Sequence, residues 1–234
     1  ICYAYDAFLE MVGLTWEMPH YKPQEQPIWL PTEAEIDTLI SATGKRTSIY
    51  LQLLKETGVR AGEADNLKWT GIDTERGVIY VASEKDGTPR TLKVSKQLIG
   101  RLESLRKDDS PKVFGERSAN AMRSTFSRQR KTIAHKLDNP RLLQIHFHTI
   151  RHWYATMLYH LTKNPRLVQK RLGHRNLKTT ERYIHLEEDV YGNEGNEHFI
   201  CEIVKTAEEA KKLIEHGYDF VNEIDGEFLY RKRE

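Results

Sequence analysis

The sequence predicts an α+β fold, mainly helical, with a small antiparallel β-hairpin in its body and a β-α-β-β module at its end. Apolar residues recur at helical spacing through most of residues 32–190, capping and stop signals punctuate those runs, and strand-like alternation interrupts them in one place and resumes near the end. With 234 residues, 38% hydrophobic and 30% charged, the chain suffices for one sizeable core plus an appendage. Apolar runs are short, so no transmembrane helix is expected, and the first residues lack the basic-then-apolar pattern of a secretion signal. Cys2 and Cys201 stand far apart and away from every motif, which fits unpaired thiols and the cytoplasm better than a disulfide.

Residues 3–14 look like the last turns of a helix that began upstream, so residues 1–20 are expected to be the remnant of a preceding domain, with a proline-rich linker over 21–31. A new domain opens at Thr32, which with Glu35 forms a capping box ahead of Ile36, Leu39 and Ile40. A second helix is expected over Ser48 to Glu56, broken by Gly58. Arg60 and Glu63 then fall on the first turn of another helix, where the carboxylate can hold the guanidinium in a fixed pose. The segments GVIYVAS and RTLKV, joined through Asp86 and Gly87, make the hairpin, with Lys85 near its tip. Helices are expected over Lys96 to Lys107 and Ala119 to Leu137. His148 and Arg151 follow on one face of a helix whose apolar residues include Ile150, Trp153, Tyr154 and Leu158. Pro165 opens a short helix that Gly173 stops, leaving His174 on a turn. Tyr183 lies in an amphipathic segment, Lys178 to Leu186. Strand HFICEIVK, helix TAEEAKKLIEHG and strands YDFVNEI and EFLYRKR complete the appendage, 191–234.

The net charge of +2 conceals an asymmetry. Residues 187–234 carry 14 acidic and 6 basic side chains, a net of −8, so residues 1–186 carry +10. Between Arg117 and Arg182, 15 Lys or Arg face only Asp138 and Glu181. So few compensating carboxylates point to a polyanionic partner rather than a merely solvated face, and nucleic acid is the expected partner. Arg123, Arg128, Arg130, Lys131, His152 and Arg175 are the residues expected to touch it.

Arg60, Lys85, the string His148-Thr149-Ile150-Arg151-His152, then Leu172-Gly173-His174 and Tyr183 resemble, in order and spacing, the catalytic domain of the tyrosine recombinases, the phage integrase superfamily. The resemblance covers roughly residues 29–190; Val59 and Ile150 replace commoner leucines, and the N-terminal domain that completes the family's clamp on DNA is almost wholly missing. It implies a catalytic domain over 32–190, a homo-oligomer on DNA, and site-specific recombination through a 3′-phosphotyrosine on Tyr183. It also implies Arg60 as first arginine, His148 and Arg151 as second box, His174 as third-box histidine, Lys85 as hairpin lysine and Glu63 as the acidic companion of Arg60.

The chemistry asks for the same residue types. Attack on a phosphodiester builds negative charge on the non-bridging oxygens, and with no carboxylate cluster for Mg²⁺ the expectation is a reaction without metal or ATP, in which Arg60, Arg151 and a hydrogen bond from His174 supply the stabilisation. A phenol needs a base, for which His148 is the expected residue, and the departing 5′ oxygen needs a proton, for which Lys85 is. Bland alternatives stand beside each: His146, His152, His160 and His185 for the histidines, Tyr191 for the tyrosine, Lys93 for the lysine. His152 is read as a neighbour rather than a catalyst, and a zinc site is not expected. A type IB topoisomerase and a catalytically silent DNA-binding protein are the rival classes.

Overall fold

Helix α3 (Lys45–Thr57) is the axis of the core: Ile49, Tyr50, Leu51, Leu53 and Leu54 are all buried, covering more than one face, which a helix does only when packed on several sides. In the computed structural model, which describes residues 2–14, 16, 27–84, 87–106, 110–115, 119–192, 199–224 and 227–233, α3 packs against α2 (Glu33–Ala42), α5 (Lys96–Glu103), α6 (Ala119–Lys136) and α7 (Phe147–Thr162). A separate helix, α1 (Cys2–Met11), precedes them. The capping box of α2 is present: Thr32 Oγ1 accepts from Glu35 N at 3.2 Å, and the Thr32 amide donates to Glu35 Oε2 at 2.8 Å. Arg141 ties the same carboxylate to the far side of the core at 2.6 Å.

Strands β1 (Ile72–Asp73), β2 (Val78–Val81) and β3 (Arg90–Lys93) form an antiparallel sheet in that order, with Val81 opposite Arg90 and Ile79 opposite Leu92. The hairpin is as expected, although β1 carried no sequence signal at two residues long. Helix α3 starts three residues earlier than its apolar spacing indicates, because Gly44 caps it. Helix α4 (Ala61–Asp65) is a single turn and a half, and α5 ends at Glu103. Helix α8 (Pro165–Leu172) begins and ends where proline and glycine place it, and α9 (Lys178–Tyr191) carries Tyr183. Beyond it β4 (Phe199–Val204), α10 (Ala207–Glu215), β5 (Asp219–Ile224) and β6 (Glu227–Arg233) build the β-α-β-β module, its antiparallel sheet ordered β4-β6-β5.

Candidate active site

The site begins where α3 stops. Gly58 ends that helix at φ +61°, and a Cβ there would lie 2.2 Å from Tyr154 Cδ1, so both backbone conformation and space require glycine. The reversal puts Arg60 at the N-cap of α4. Its amide donates to Glu63 Oε2 at 2.8 Å and its Nη1 to Oε1 at 3.3 Å, so Glu63 holds both ends of the residue. Glu63 is fully buried and shared: Arg90 donates Nη1 to Oε1 at 3.0 Å and Nη2 to Oε2 at 2.7 Å. Burial opposes its ionisation, but the hydrogen bonds and charge of Arg90 and the Arg60 amide outweigh that and hold the carboxyl below its ordinary range. Arg90 escaped the sequence reading. Its one signal was register, since period-two alternation puts it on the inward face with Leu92, where a cation needs a partner.

Arg151 is 2% exposed on α7. Its Nη1 donates to the carbonyl of Gly58 at 2.5 Å, and Nη2 to the carbonyl of Leu172 at 2.9 Å and to His174 Nε2 at 3.0 Å. One guanidinium thereby joins the end of α3 to the end of α8. Burial, then the charge of Arg60, lowers its pKa to about 10, so it is still a cation at neutral pH. Because a guanidinium only donates, His174 Nε2 must be the acceptor and Nδ1 carries the proton, which it gives to Thr180 Oγ1 at 3.0 Å. Burial and the charges of Arg151 and Arg60 depress His174 to about 3, consistent with that neutral tautomer. The expected hydrogen bond from His174 to a phosphate is therefore replaced, in this state, by one accepted from Arg151.

Tyr183 is 3% exposed, its ring stacked on His174 at 6.3 Å with planes 13° apart. Its hydroxyl lies 3.1 Å from His152 Nδ1. Burial raises the phenol pKa while Arg151, Arg182 and Arg60 pull it down, and burial prevails, so the phenol is protonated at neutral pH. Burial and the charges of His148, Arg182 and Arg151 lower His152 to about 4, so the ring is neutral at neutral pH, and its Nε2-protonated tautomer leaves Nδ1 to accept from the Tyr183 hydroxyl. His148, the expected base, has no hydrogen bond to Tyr183 among the described residues; it stands edge-on to His152 with centroids 4.3 Å apart. The helical spacing of His148 and His152 made them neighbours, and only the angle at which α9 crosses α7 decides which meets the phenol.

Arg60, Arg123, Arg130, His146, His148 and Arg151 line a common cavity of about 550 Å3, whose one carboxylate among the described residues is Glu84. Arg123, Arg128, Lys131 and Arg175 are exposed, as a phosphate-tracking role needs. Arg130 departs from that expectation: it is 6% exposed and donates to the carbonyl of Ile145 and, at 3.0 Å, to His146 Nδ1, fixing the turn that starts α7. Lys85 lies outside the described residues. Further along α9, buried Glu187 accepts from His160 Nδ1 at 2.7 Å and Lys163 Nζ at 2.6 Å, clamping α9 to the end of α7. Tyr191 instead meets Met157 Sδ at 3.0 Å and the ring of His160. No helix among the described residues is long and apolar enough to cross a membrane.

Residues 31–189, the whole of this site and its supporting helices, match the phage integrase family. The chain belongs to that family. Within it, the chain is 30% identical over 187 residues to the tyrosine recombinase XerA of Pyrococcus horikoshii, an alignment covering 77% of this chain and 66% of that protein, so the chain spans about two thirds of its length. XerA of Thermococcus kodakarensis is 28% identical over 218 residues, 89% of this chain and 73% of that protein. The fold is shared with the crystal structure of XerA recombinase, at TM-score 0.60 and 23% identity over 84% of this chain and 75% of that one. It is shared too with the lambda integrase tetramer bound to a Holliday junction, at TM-score 0.57 and 18% identity over 76% and 56%.

Proposed function

We propose that this phage integrase family member is a site-specific recombinase that cleaves and rejoins DNA strands through a phosphotyrosine on Tyr183. The observation that carries this is the hydrogen bond between the buried Tyr183 hydroxyl and His152, in a phenol stacked on a histidine that Arg151 holds in place. Tyr183 Oη attacks phosphorus and passes its proton to His152 Nδ1. The bond from phosphorus to the 5′ oxygen breaks, and that oxygen takes a proton, with Lys85 as donor. Religation reverses each transfer when another strand's 5′-hydroxyl attacks. Negative charge on the non-bridging oxygens faces the cations Arg60 and Arg151, both of which line the cavity. The bond energy persists in the phosphotyrosine, so neither ATP nor a metal is required.

Arg123, Arg128 and Lys131 on α6, with Arg175, would track the duplex backbone. The basic body, the two relatives named recombinases and the lambda integrase tetramer on a junction support double-stranded DNA as substrate and assembly of several copies on it. Residues 32–190 are read as the catalytic unit, 1–20 as the end of a DNA-clamping domain, 21–31 as the linker, and 191–234 as a module that docks on a neighbouring copy or restrains α9. The cytoplasm is the proposed location. The test is covalent trapping in chelator with a pooled library of nicked suicide duplexes, followed by sequencing of the attached DNA. A detergent-resistant adduct that disappears in Tyr183→Phe supports the proposal. Absence of an adduct, both from this chain and from one carrying the preceding domain, overturns it in favour of DNA binding alone.

A further inference from the structure

We infer that Arg90 is a positioning residue that locks the first arginine of the site to the third-box turn through one buried carboxylate. The inference rests on the recombinase reading above. Arg90 has its side chain 5% exposed and is not among the residues lining the phosphate-facing cavity, so it does not touch the reacting atoms. Its hydrogen bonds go to two segments that carry site residues. Two parallel bonds hold Glu63, which in turn holds the Arg60 backbone and guanidinium. Its Nε donates at 2.7 Å to the carbonyl of Arg171, within the last turn of α8 that delivers His174. Its own strand, β3, is the second arm of the hairpin, and the Thr88 amide at the start of that arm donates at 3.1 Å to the Gly173 carbonyl. The approach is so close that a Cβ on Gly173 would lie 2.8 Å from Arg90 Nη1 and 2.9 Å from the Thr88 carbonyl oxygen.

The geometry has an electrostatic consequence. Arg60, Arg90 and Arg151 are like charges gathered around one buried carboxylate, and without a fixed counter-charge Arg60 is free to swing outward to water. Glu63 alone meets Arg60 Nη1 through a single bond of 3.3 Å, a weak restraint. The bidentate fork of Arg90 orients the carboxylate so that its Oε2 also reaches the Arg60 amide. Lysine cannot form that fork.

Removing Arg90 alone leaves a buried carboxylate underpaired, and any loss of activity could then follow from lost stability; removing both charges separates the two causes. The experiment compares Arg90→Met, Arg90→Lys and the double variant Glu63→Gln with Arg90→Met, measuring thermal unfolding, DNA affinity and single-turnover adduct formation. Arg90→Met is expected to slow adduct formation about 100-fold with DNA affinity changed less than about 3-fold, and Arg90→Lys about 10-fold. The double variant is expected to regain most of the unfolding temperature and none of the rate. In Arg90→Met the Glu63 carboxyl, followed by carbon NMR, is expected to titrate at higher pH than in the wild type. Recovery of rate together with stability in the double variant would reduce Arg90 to a structural residue and overturn the inference, as would an unchanged Glu63 titration. The titration does not depend on catalysis, so absence of an adduct in the wild type would count against the recombinase reading alone.

Discussion

Acid should loosen this protein well before its carboxylates protonate, because the site keeps two histidines neutral. Unfolded, both titrate near the model value of 6.5; folded, His174 titrates at about 3 and His152 at about 4. A depressed histidine pKa means that the unfolded chain binds the proton and the folded one does not. Folding is therefore undisturbed above about pH 6.5, and stability falls with pH from there down to the folded values of about 3 and 4. Between about pH 7.5 and about pH 5, buried His174 costs about 2 kcal/mol and partly exposed His152, discounted for solvent, about 1. A total of about 3 kcal/mol lowers the melting temperature by roughly 6–12 °C in a chain of this size. Carboxylates with lowered pKa, such as Glu63 and Glu187, contribute stability that is lost only lower, as pH falls below the ordinary value of 4.5. His146 and His148, both also depressed by burial and by neighbouring arginines, add to the histidine window in the same direction. The assay is calorimetric melting at the two pH values for the wild type and for His152→Gln with His174→Asn. The double variant should lose most of the difference; an equal drop in both would refute the assignment of the effect to these two side chains.

Other outcomes follow from single contacts. His152→Gln should slow adduct formation by about 100-fold and His148→Gln by less than about 10-fold, because His152 and not His148 hydrogen-bonds the phenol among the described residues; the reverse order in single-turnover trapping would make His148 the base. Gly58→Ala meets both a left-handed backbone and the Tyr154 ring, and should cost about 2–5 kcal/mol, read as a melting temperature lower by about 5–15 °C. Glu187→Gln should weaken the clamp on α9 by about 1–3 kcal/mol. Hydrogen exchange should quicken across residues 178–191 and stay unchanged in α2, and uniform protection in the variant would remove the clamp from the account.

Much of the fold could be read from local signals. Thr32 and Glu35 announce α2, Pro165 and Gly173 bound α8, and period-two alternation marks the hairpin and the end module, because capping, ring closure and pleat act within a few residues of chain. The nearness of Arg60, His148, Arg151, His174 and Tyr183 to one another could be expected from their order and spacing on such elements. Their contacts could not. Which histidine meets Tyr183 depends on how α9 crosses α7. The donor or acceptor role of His174 depends on a guanidinium 23 positions away in sequence. Arg130 and Arg90 look like surface cations until the turn at Ile145 and the buried Glu63 carboxylate close over them. The chain by itself determines which chemical groups are present and the local elements that carry them. Tertiary packing decides which groups share a proton, because hydrogen bonds and burial depend on distances of a few ångströms between segments that sequence order leaves free.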